Sequence, residues 1–447
     1  MFSFLIMGAL LLVVGFGQSW SVALAIVNLC LISSIMALGV NIQWGYAGLF
    51  NVGIMGFAAL GGVAAVLVSE APVADAWAAG GSNLFLAALC CVITIIMSVT
   101  VFKRLRKSAP RTLLLIFIIV FGYFATRYFF EPAVSAIEAV DSARTGFLGG
   151  LGVPIIFSWA IGGVLAAAAA WLVGRIALGL RSDYLAIATL GISEIIIAIL
   201  KHEDWLTRGV KNVTGLSRPV PYEVNLQKED WFIRLIESWH SNTLAALPDS
   251  VRDDALHKLV VESSGIFVKL CYLGLFVAVL LLILMLSVKA LNSPWGRMMR
   301  AIRDNEVAAG AMGKDVTRRH LQVFILGSAV VGIAGAMLVT LDGQFTPGTY
   351  NPLRFTFLIW VMVIVGGSGN NLGAVLGGFV IWFLWIEAEP VGLWLADVGT
   401  AWLGEGSPVR AHMLNSAQHM RLFIMGLILL LVMRFSPGGI LPEVTRK

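Results

Sequence analysis

The strongest constraint in this sequence is a series of long apolar runs. They last about 17 to 25 residues, the length at which a helix crosses the hydrocarbon core of a bilayer, and they lack the alternation of membrane barrel strands. Hydrophobic residues make up 58% of the chain and charged residues 13%, whereas soluble domains are close to half apolar and a quarter charged. Because a backbone in lipid must pair its own polar groups, we predict an all-α, polytopic transmembrane helical bundle.

Twelve runs are apolar enough to be candidate spans, so we expect about 10–12 crossings in a single transmembrane domain over residues 1–447. The first run is short and the third is interrupted by four glycines, so either can be re-entrant or interfacial. No basic stretch precedes the first run and no A-x-A cleavage signal follows it, which favours a span over a signal peptide. The candidate spans lie at about 4–17, 21–40, 48–68, 83–102, 112–130, 154–178, 184–200, 265–289, 321–341, 353–367, 371–389 and 421–436.

The lysines and arginines of short loops indicate the orientation, because such loops stay on the cytoplasmic side. One basic cluster lies within residues 103–111 and another within residues 297–319. Four candidate spans separate the two clusters, so both can face the cytoplasm. The same counting carries the C-terminal Arg446 and Lys447 to that side, and we predict a cytoplasmic C-terminus.

This topology places a long polar segment, residues 201–264, outside the cell. Within it, residues 229–240 carry apolar side chains at helical spacing and predict a short amphipathic helix. Two interpretations of the segment stay open. It can be a solvated cap, or it can be a docking surface for an external partner.

The residue types that bind metals or perform chemistry are scattered. The four cysteines fall inside apolar runs, and the six histidines lie in or beside loops, without the spacing of a metal site. Gly313-Lys314 comes closest to an ATP-binding Walker A motif, but Ala308 replaces its first glycine and Asp315 replaces its Ser or Thr. A membrane enzyme would need paired carboxylates, a histidine cluster or an activated nucleophile, and we find none. We predict a chain that is not an enzyme and itself binds no metal, cofactor or nucleic acid.

The polar loop at 292–320 is predicted to face the cytoplasm. After a Ser293-Pro294 turn signal, the pattern predicts one helix through Ile302, a break, and a second short helix over residues 306–312 that ends at Gly313. Such a compact charged element suits a permease that receives force from a separate ATPase. A solvated helix in contact with anionic lipid is the alternative interpretation.

The letters E-V-A-A-G-A-M-G in this loop resemble the EAA motif of ABC importer permeases, a glutamate and two alanines followed by a glycine. The wider stretch SPWGRMMRAIRDNEVAAGAMGKDV is similar to the corresponding loop of the branched-chain amino acid permease family. In that family the loop docks into a groove on the ATP-binding subunit. The resemblance implies an ATPase contact formed by Glu306, Ala308, Ala309 and Gly313, with Arg300 and Arg303 on the preceding helix nearby.

Three further stretches match the same family in its own order. Residues 41–62 resemble its G-x-x-G-L-x-S-x-G-H-x-x-F segment, although Asn51 and Ile54 replace the usual Ser and His. Residues 180–200 are close to its R-G-D-Y-L-A-I-x-T-L-G-x-x-E segment, with a serine in place of the first glycine. Residues 362–378 are close to its late glycine-rich segment.

The resemblance implies the ABC importer permease fold in the bacterial inner membrane. It also implies partners: a second permease subunit in a heterodimer, two ATP-binding subunits that hold ATP and magnesium, a periplasmic solute-binding protein, and membrane lipid. The implied solutes are leucine, isoleucine and valine. Urea and short-chain amides use closely similar permeases, so the substrate stays open.

Neutral polar residues accompany two glycine-broken segments, and broken helices often line the path of a transporter. The glycines have a second interpretation, because spacings such as that of Gly373 and Gly377 also let helix backbones pack closely. The candidates for lining the path are Asn41, Gln43, Asn51, Ser368, Asn370 and Asn371.

Glu194 lies within an apolar run, where a charge costs about 2.5–3.5 kcal/mol on insertion scales. We expect it to face the bundle interior or a wet cavity, or to be protonated. An interhelical structural role and a direct role in transport both fit. An ion-coupled secondary transporter, the alternative function class, would need several such acids, and Glu194 is the clear one.

Overall fold

The computed structural model describes residues 2–141, 145–403, 407–416 and 419–443. Arg446 and Lys447, for which we predict a cytoplasmic position, lie outside this part of the chain. In chain order the described α-helices are α1 (Phe2–Gly17), α2 (Trp20–Ala47), α3 (Ile54–Ser69), α4 (Ala74–Arg104), α5 (Ala109–Ala139), α6 (Phe157–Ala177), α7 (Ser182–His202), α8 (Asp204–Thr207), α9 (Glu223–Leu226), α10 (Asp230–Trp239), α11 (Ser241–Ala245), α12 (Asp249–Asn292), α13 (Pro294–Asp304), α14 (Glu306–Ala311), α15 (Val316–Asp342), α16 (Pro352–Gly366), α17 (Asn371–Gly399), α18 (Pro408–Ser416) and α19 (Met420–Phe435).

Each of the twelve candidate spans falls on one of these helices, so the predicted polytopic all-α bundle is confirmed. Among the described residues, eight helices are long and apolar enough to cross a membrane, and the pair α18–α19, bent by 61°, would make a ninth. The count is below the predicted range because α1, α3 and α16 have only 16, 16 and 15 residues. At 1.5 Å per residue such helices are about 24 Å long, less than the roughly 30 Å hydrocarbon core.

Helix α2 forms the centre of the bundle. Its residues 31–43 are all buried, and it packs against α12, α15, α16 and α17. Helix α3 packs against α6 and α15. Because lipid tails are as apolar as leucine, close packing of the backbones, rather than hydrophobicity, holds such helices together.

Small residues allow this close packing, as the second interpretation of the glycines predicts. A Cβ atom on Gly377 would overlap the carbonyl oxygen of Met362, and one on Gly373 would lie 2.8 Å from that of Gly366. A Cβ atom on Gly61 of α3 would likewise overlap the backbone of α15. A methyl group at these positions would have to displace a neighbouring backbone.

Helices α4 and α5 form a hairpin that stands apart from the other helices. The two helices contact each other closely, while most of their remaining surface is exposed. The hairpin meets the bundle at one end, where Trp77 Nε1 donates to the Leu148 carbonyl at 3.1 Å and Phe130 lies edge-on to Trp205. Its turn, with the first basic cluster, lies at the opposite end.

The polar segment 201–264 is built from short helices. It contains α8 to α11 and the first part of α12, and the predicted amphipathic helix corresponds to α10, which buries Phe232 and Ile236. Strand β1 (Val213–Thr214) pairs antiparallel with strand β2 (Gln344–Phe345). This pairing fixes the segment to the end of α15, at the opposite end of that helix from α13 and α14.

Candidate functional site

Helices α13 and α14 have the helix–break–helix form that the sequence of loop 292–320 predicts. Asn305 has an extended backbone between them, and its side chain accepts a hydrogen bond from the Ala308 N–H at 2.9 Å. This bond pairs one of the free N–H groups at the start of α14. Gly313 follows α14 with φ of 76°, a conformation that glycine adopts without strain.

The second of these helices, α14, presents its surface outward. None of its residues is buried, so Glu306 and Ala308 are exposed and Ala309 is half-buried. Val307 and Met312 are 83% and 79% exposed. The surface of α14 therefore presents the carboxylate of Glu306 beside two exposed apolar side chains.

Arg303, on the last turn of α13, ties this surface to the bundle. Its guanidinium donates to the carbonyl oxygen of Gly45 near the end of α2 and pairs with Glu443 at 2.9 Å and with Asp304 at 3.1 Å. Burial opposes the charge of Arg303, but the hydrogen bonds and negative charges of Glu443 and Asp304 together outweigh burial and raise its pKa. Arg300 makes a separate link, a 2.8 Å bond to the Leu291 carbonyl at the end of α12.

Glu443 belongs to a segment that we call the C-terminal strap, residues 436–443. The strap lies across the break between α16 and α17: the Ile440 N–H donates to the Val365 carbonyl at 2.8 Å and the Leu441 N–H to the Gly366 carbonyl at 2.9 Å. Asn370 Nδ2 also donates to the strap, at the Pro442 carbonyl, at 3.2 Å. The strap is not among the elements predicted from the sequence, although the turn signal Pro-Gly-Gly after the last apolar run points to a chain reversal.

Two of the polar residues predicted to line a path are paired beside this break. Asn41 Nδ2 donates to Asn371 Oδ1 at 3.1 Å, and Asn41 Oδ1 accepts from the Gly369 N–H at 2.9 Å. Both asparagine side chains are buried. They join the inner part of α2 to the start of α17.

Gln43 and Asn51 form a second buried network. Gln43 Nε2 donates to the Phe324 carbonyl at 3.0 Å and to Ser328 Oγ at 3.1 Å, and Gln43 Oε1 accepts from Asn51 Nδ2 at 2.9 Å. Trp360 Nε1 donates to the Asn51 carbonyl at 3.1 Å. The network connects α2, the non-helical residues before α3, α15 and α16, so these groups bind the protein itself.

The other two polar residues predicted to line a path lie near the surface. Ser368 and Asn370 are half-buried, and Asn370 Oδ1 accepts from the Leu372 N–H at 3.0 Å as the N-cap of α17. Within the described part of the chain, no three His, Cys, Asp or Glu side chains are grouped as metal ligands would be.

Glu194 does not face the interior of this chain's bundle. Its side chain is exposed on α7, on the face that also exposes Ile187 and Ile195, whereas Ser193 and Ile197 point inward. The expectation of an interior position is therefore wrong for the single chain, because an acid within an apolar run does not indicate which face of its helix packs inward. That Glu194 faces a wet cavity, or that it is protonated, stays a prediction.

The bundle, its broken helices and the exposed helix pair define a polytopic helical permease. Residues 133–433 match the family described as branched-chain amino acid transport system / permease component, and the chain belongs to this family.

The relatives carry the same description. The chain is 28% identical over 223 residues to the high-affinity branched-chain amino acid transport system permease protein LivM of Salmonella typhimurium. The aligned residues cover 49% of this chain and 48% of that protein. The probable LivM of Methanocaldococcus jannaschii is 27% identical over 172 residues, 38% and 46% of the two chains. The probable LivH of the same organism is 32% identical over 115 residues, 26% and 35% of the chains. The chain thus spans about half the length of the curated relatives it matches, and no solved structure matches it.

Proposed function

We propose that this chain is one membrane-spanning subunit of an ATP-driven importer for branched-chain amino acids and performs no chemistry itself. The observation that carries the proposal is the exposed helix α14, which Arg303 links to the end of α2 and to the strap. A surface that only contacted lipid headgroups would not need these links. An element that receives force from another subunit does.

The proposed partners follow from the family. A second, related permease subunit would complete the path, as the names LivM and LivH of the relatives suggest. Two ATP-binding subunits, which hold ATP and magnesium, would contact α14 at Glu306, Ala308, Ala309 and Gly313. A periplasmic binding protein would deliver the solute at the end that carries the segment 201–264, with the strap on the cytoplasmic side of the bacterial inner membrane.

The exposed face of α7 is the proposed contact with the second permease. A carboxylate in the middle of an apolar helix is expensive toward lipid, and Glu194 has such a position. Neighbouring Gly191 has open space where a side chain would be, which suits a close helix–helix approach. The path between the two subunits would then pass Glu194.

The test is purification of the chain from its native membrane in mild detergent, followed by identification of what accompanies it. We expect an ATPase subunit and a second permease with the unaltered chain. The double variant Glu306→Ala/Gly313→Ala should lose the ATPase and keep the permease. The control Glu131→Ala/Gly265→Ala changes an exposed glutamate and an unpacked glycine elsewhere and should lose neither. A chain that purifies alone and whose solute transport is driven by an ion gradient would refute the proposal and favour a secondary transporter.

A further inference from the structure

A cavity of about 270 Å³ lies inside the bundle, between α2, α15, α16 and α17. It lies at the β2 end of α15, away from the helix pair α13–α14. Its volume is close to the lower limit, about 300 Å³, of small-molecule sites in proteins. The cavity is separate from helix α14 and from the buried networks of Asn41 and Gln43.

Most of the lining is aliphatic. Ile32 and Met36 are one turn apart on α2, Leu358 and Met362 are one turn apart on α16, and Met55 of α3 adds a third methionine. Methionine side chains are flexible and polarizable, so they adapt to ligands of slightly different shape. This part of the cavity suits a branched aliphatic group.

Of the described residues that line the cavity, Asp342 alone is charged. Its carboxylate has no hydrogen bond or ion pair within the described chain, and Arg218, which lies near the adjacent Gly343, is already paired with Glu223 at 3.2 Å. Asp342 is also the last residue of α15, where the helix dipole is negative. Asp342 is exposed at the mouth of the cavity, where it has no partner among the described residues and lies at the negative end of the helix dipole. Both features favour a bound cation at this carboxylate.

We propose that this cavity binds a small aliphatic molecule with an ammonium group, the ammonium at Asp342 and the aliphatic group among Ile32, Met36, Leu358 and Met362. A branched-chain amino acid is one such molecule, and for that ligand the inference rests on the proposed function. An aliphatic amine is another. The lining offers no basic side chain for a ligand carboxylate, so the carboxylate of an amino acid would stay in water at the mouth, beside the exposed Thr349.

The experiment compares three probes that share an isobutyl group, each titrated into the full chain in lipid nanodiscs by calorimetry. L-leucine has both charged groups, 3-methylbutylamine has only the ammonium, and 4-methylpentanoate has only the carboxylate. We expect the first two to bind and the third not to bind. Asp342→Asn should weaken binding of both ammonium probes by about fivefold, as expected for a solvent-exposed ion pair, and Leu358→Trp, which fills the cavity, should abolish it.

Glu70→Gln is the matched control, because Glu70 is a partly buried acid at the end of α3 that does not line the cavity. It should leave binding unchanged. A melting curve of each variant shows that loss of binding does not come from unfolding. Equal binding of 4-methylpentanoate, or unchanged binding by Asp342→Asn, would overturn the inference.

Different results would refute the cavity site and the proposed function. An importer that co-purifies with its ATPase and transports leucine, while the isolated chain binds none of the probes, would overturn the cavity site and leave the proposed function standing. A chain that binds both ammonium probes at Asp342 but never associates with an ATPase would do the reverse. Binding of 3-methylbutylamine without leucine would assign the site to an amine and not to the transported solute.

Discussion

Substitution of Glu443 by alanine tests the attachment of the C-terminal strap. The side chains of Arg303 and Glu443 are 24% and 22% exposed, so water screens their ion pair less than it screens a surface pair. An exposed pair contributes about 0–1 kcal/mol, and a hydrogen bond to a charged group about 1.5–3 kcal/mol. With partial exposure we take the lower part of the second range, about 1.5–2 kcal/mol. The backbone bonds of Ile440 and Leu441 would remain.

This energy should appear as local opening of the strap, because every 1.4 kcal/mol changes an equilibrium about tenfold. Amides that exchange through local opening then exchange about 10 to 30 times faster. The assay is hydrogen–deuterium exchange with mass spectrometry on the full chain in detergent, followed at the amides of Ile440 and Leu441. Amides in the middle of α2 should keep their rates.

Glu131→Ala serves as the control, because Glu131 pairs with Arg127 on the exposed hairpin, where both side chains are more than half exposed. It should leave the strap unchanged. If Glu443→Ala also left the exchange of Ile440 and Leu441 unchanged, the ion pair would contribute nothing to holding the strap, and the attachment inferred from the geometry would be refuted.

Gly377→Ala is expected to destabilise the purified chain by about 1–3 kcal/mol, since its Cβ atom would overlap a neighbouring backbone, while Gly265→Ala, with open space around it, should not; equal melting temperatures would contradict this. Gln43→Leu leaves the buried Asn51 amide without its acceptor and should cost about 1–3 kcal/mol of unfolding free energy, a loss that a denaturant or thermal titration would detect. Glu194→Leu should leave the stability of the isolated chain unchanged or slightly higher, because the side chain is exposed, and should lower solute uptake by the assembled importer; unchanged uptake would exclude Glu194 from the path.

The positions of the helices follow from the sequence because an apolar run is a property of adjacent residues. The break at Asn305 and the turn at Gly313 follow for the same reason, since a cap and a left-handed turn depend on one or two residues. The Arg303–Glu443 pair joins residues 140 positions apart. No local pattern indicates which acid a given arginine will meet, so this link required the fold.

For the polar residues in apolar runs, too, the sequence alone does not identify the partner of each side chain. Asn41, Gln43 and Asn51 are predicted to line a path because they accompany a glycine-broken segment. A polar group in lipid also needs a partner. Protein, water and solute all satisfy that need, and the sequence does not distinguish them. In the structure their amides meet protein groups, which favours a role in holding α2 against α15 and α17. Glu194 is the opposite case, because its exposed side chain has no hydrogen bond or ion pair with the described residues.

The links around Arg303 determine how a push on α14 would reach the bundle. Through the Gly45 carbonyl the guanidinium holds the end of α2, and through Glu443 it holds the strap, whose backbone is bonded to residues 365 and 366 at the end of α16. Since a hydrogen bond fails beyond about 3.5 Å, α13 cannot move far from either element without breaking one of these links. In the proposed importer, a movement of α14 that α13 follows would therefore reach α2 and the break between α16 and α17 together. Helix α17 packs closely against α16 at Gly373 and Gly377 and against α2 at Gly378. The three helices would therefore shift as one body, and their packing against the remaining helices would have to yield.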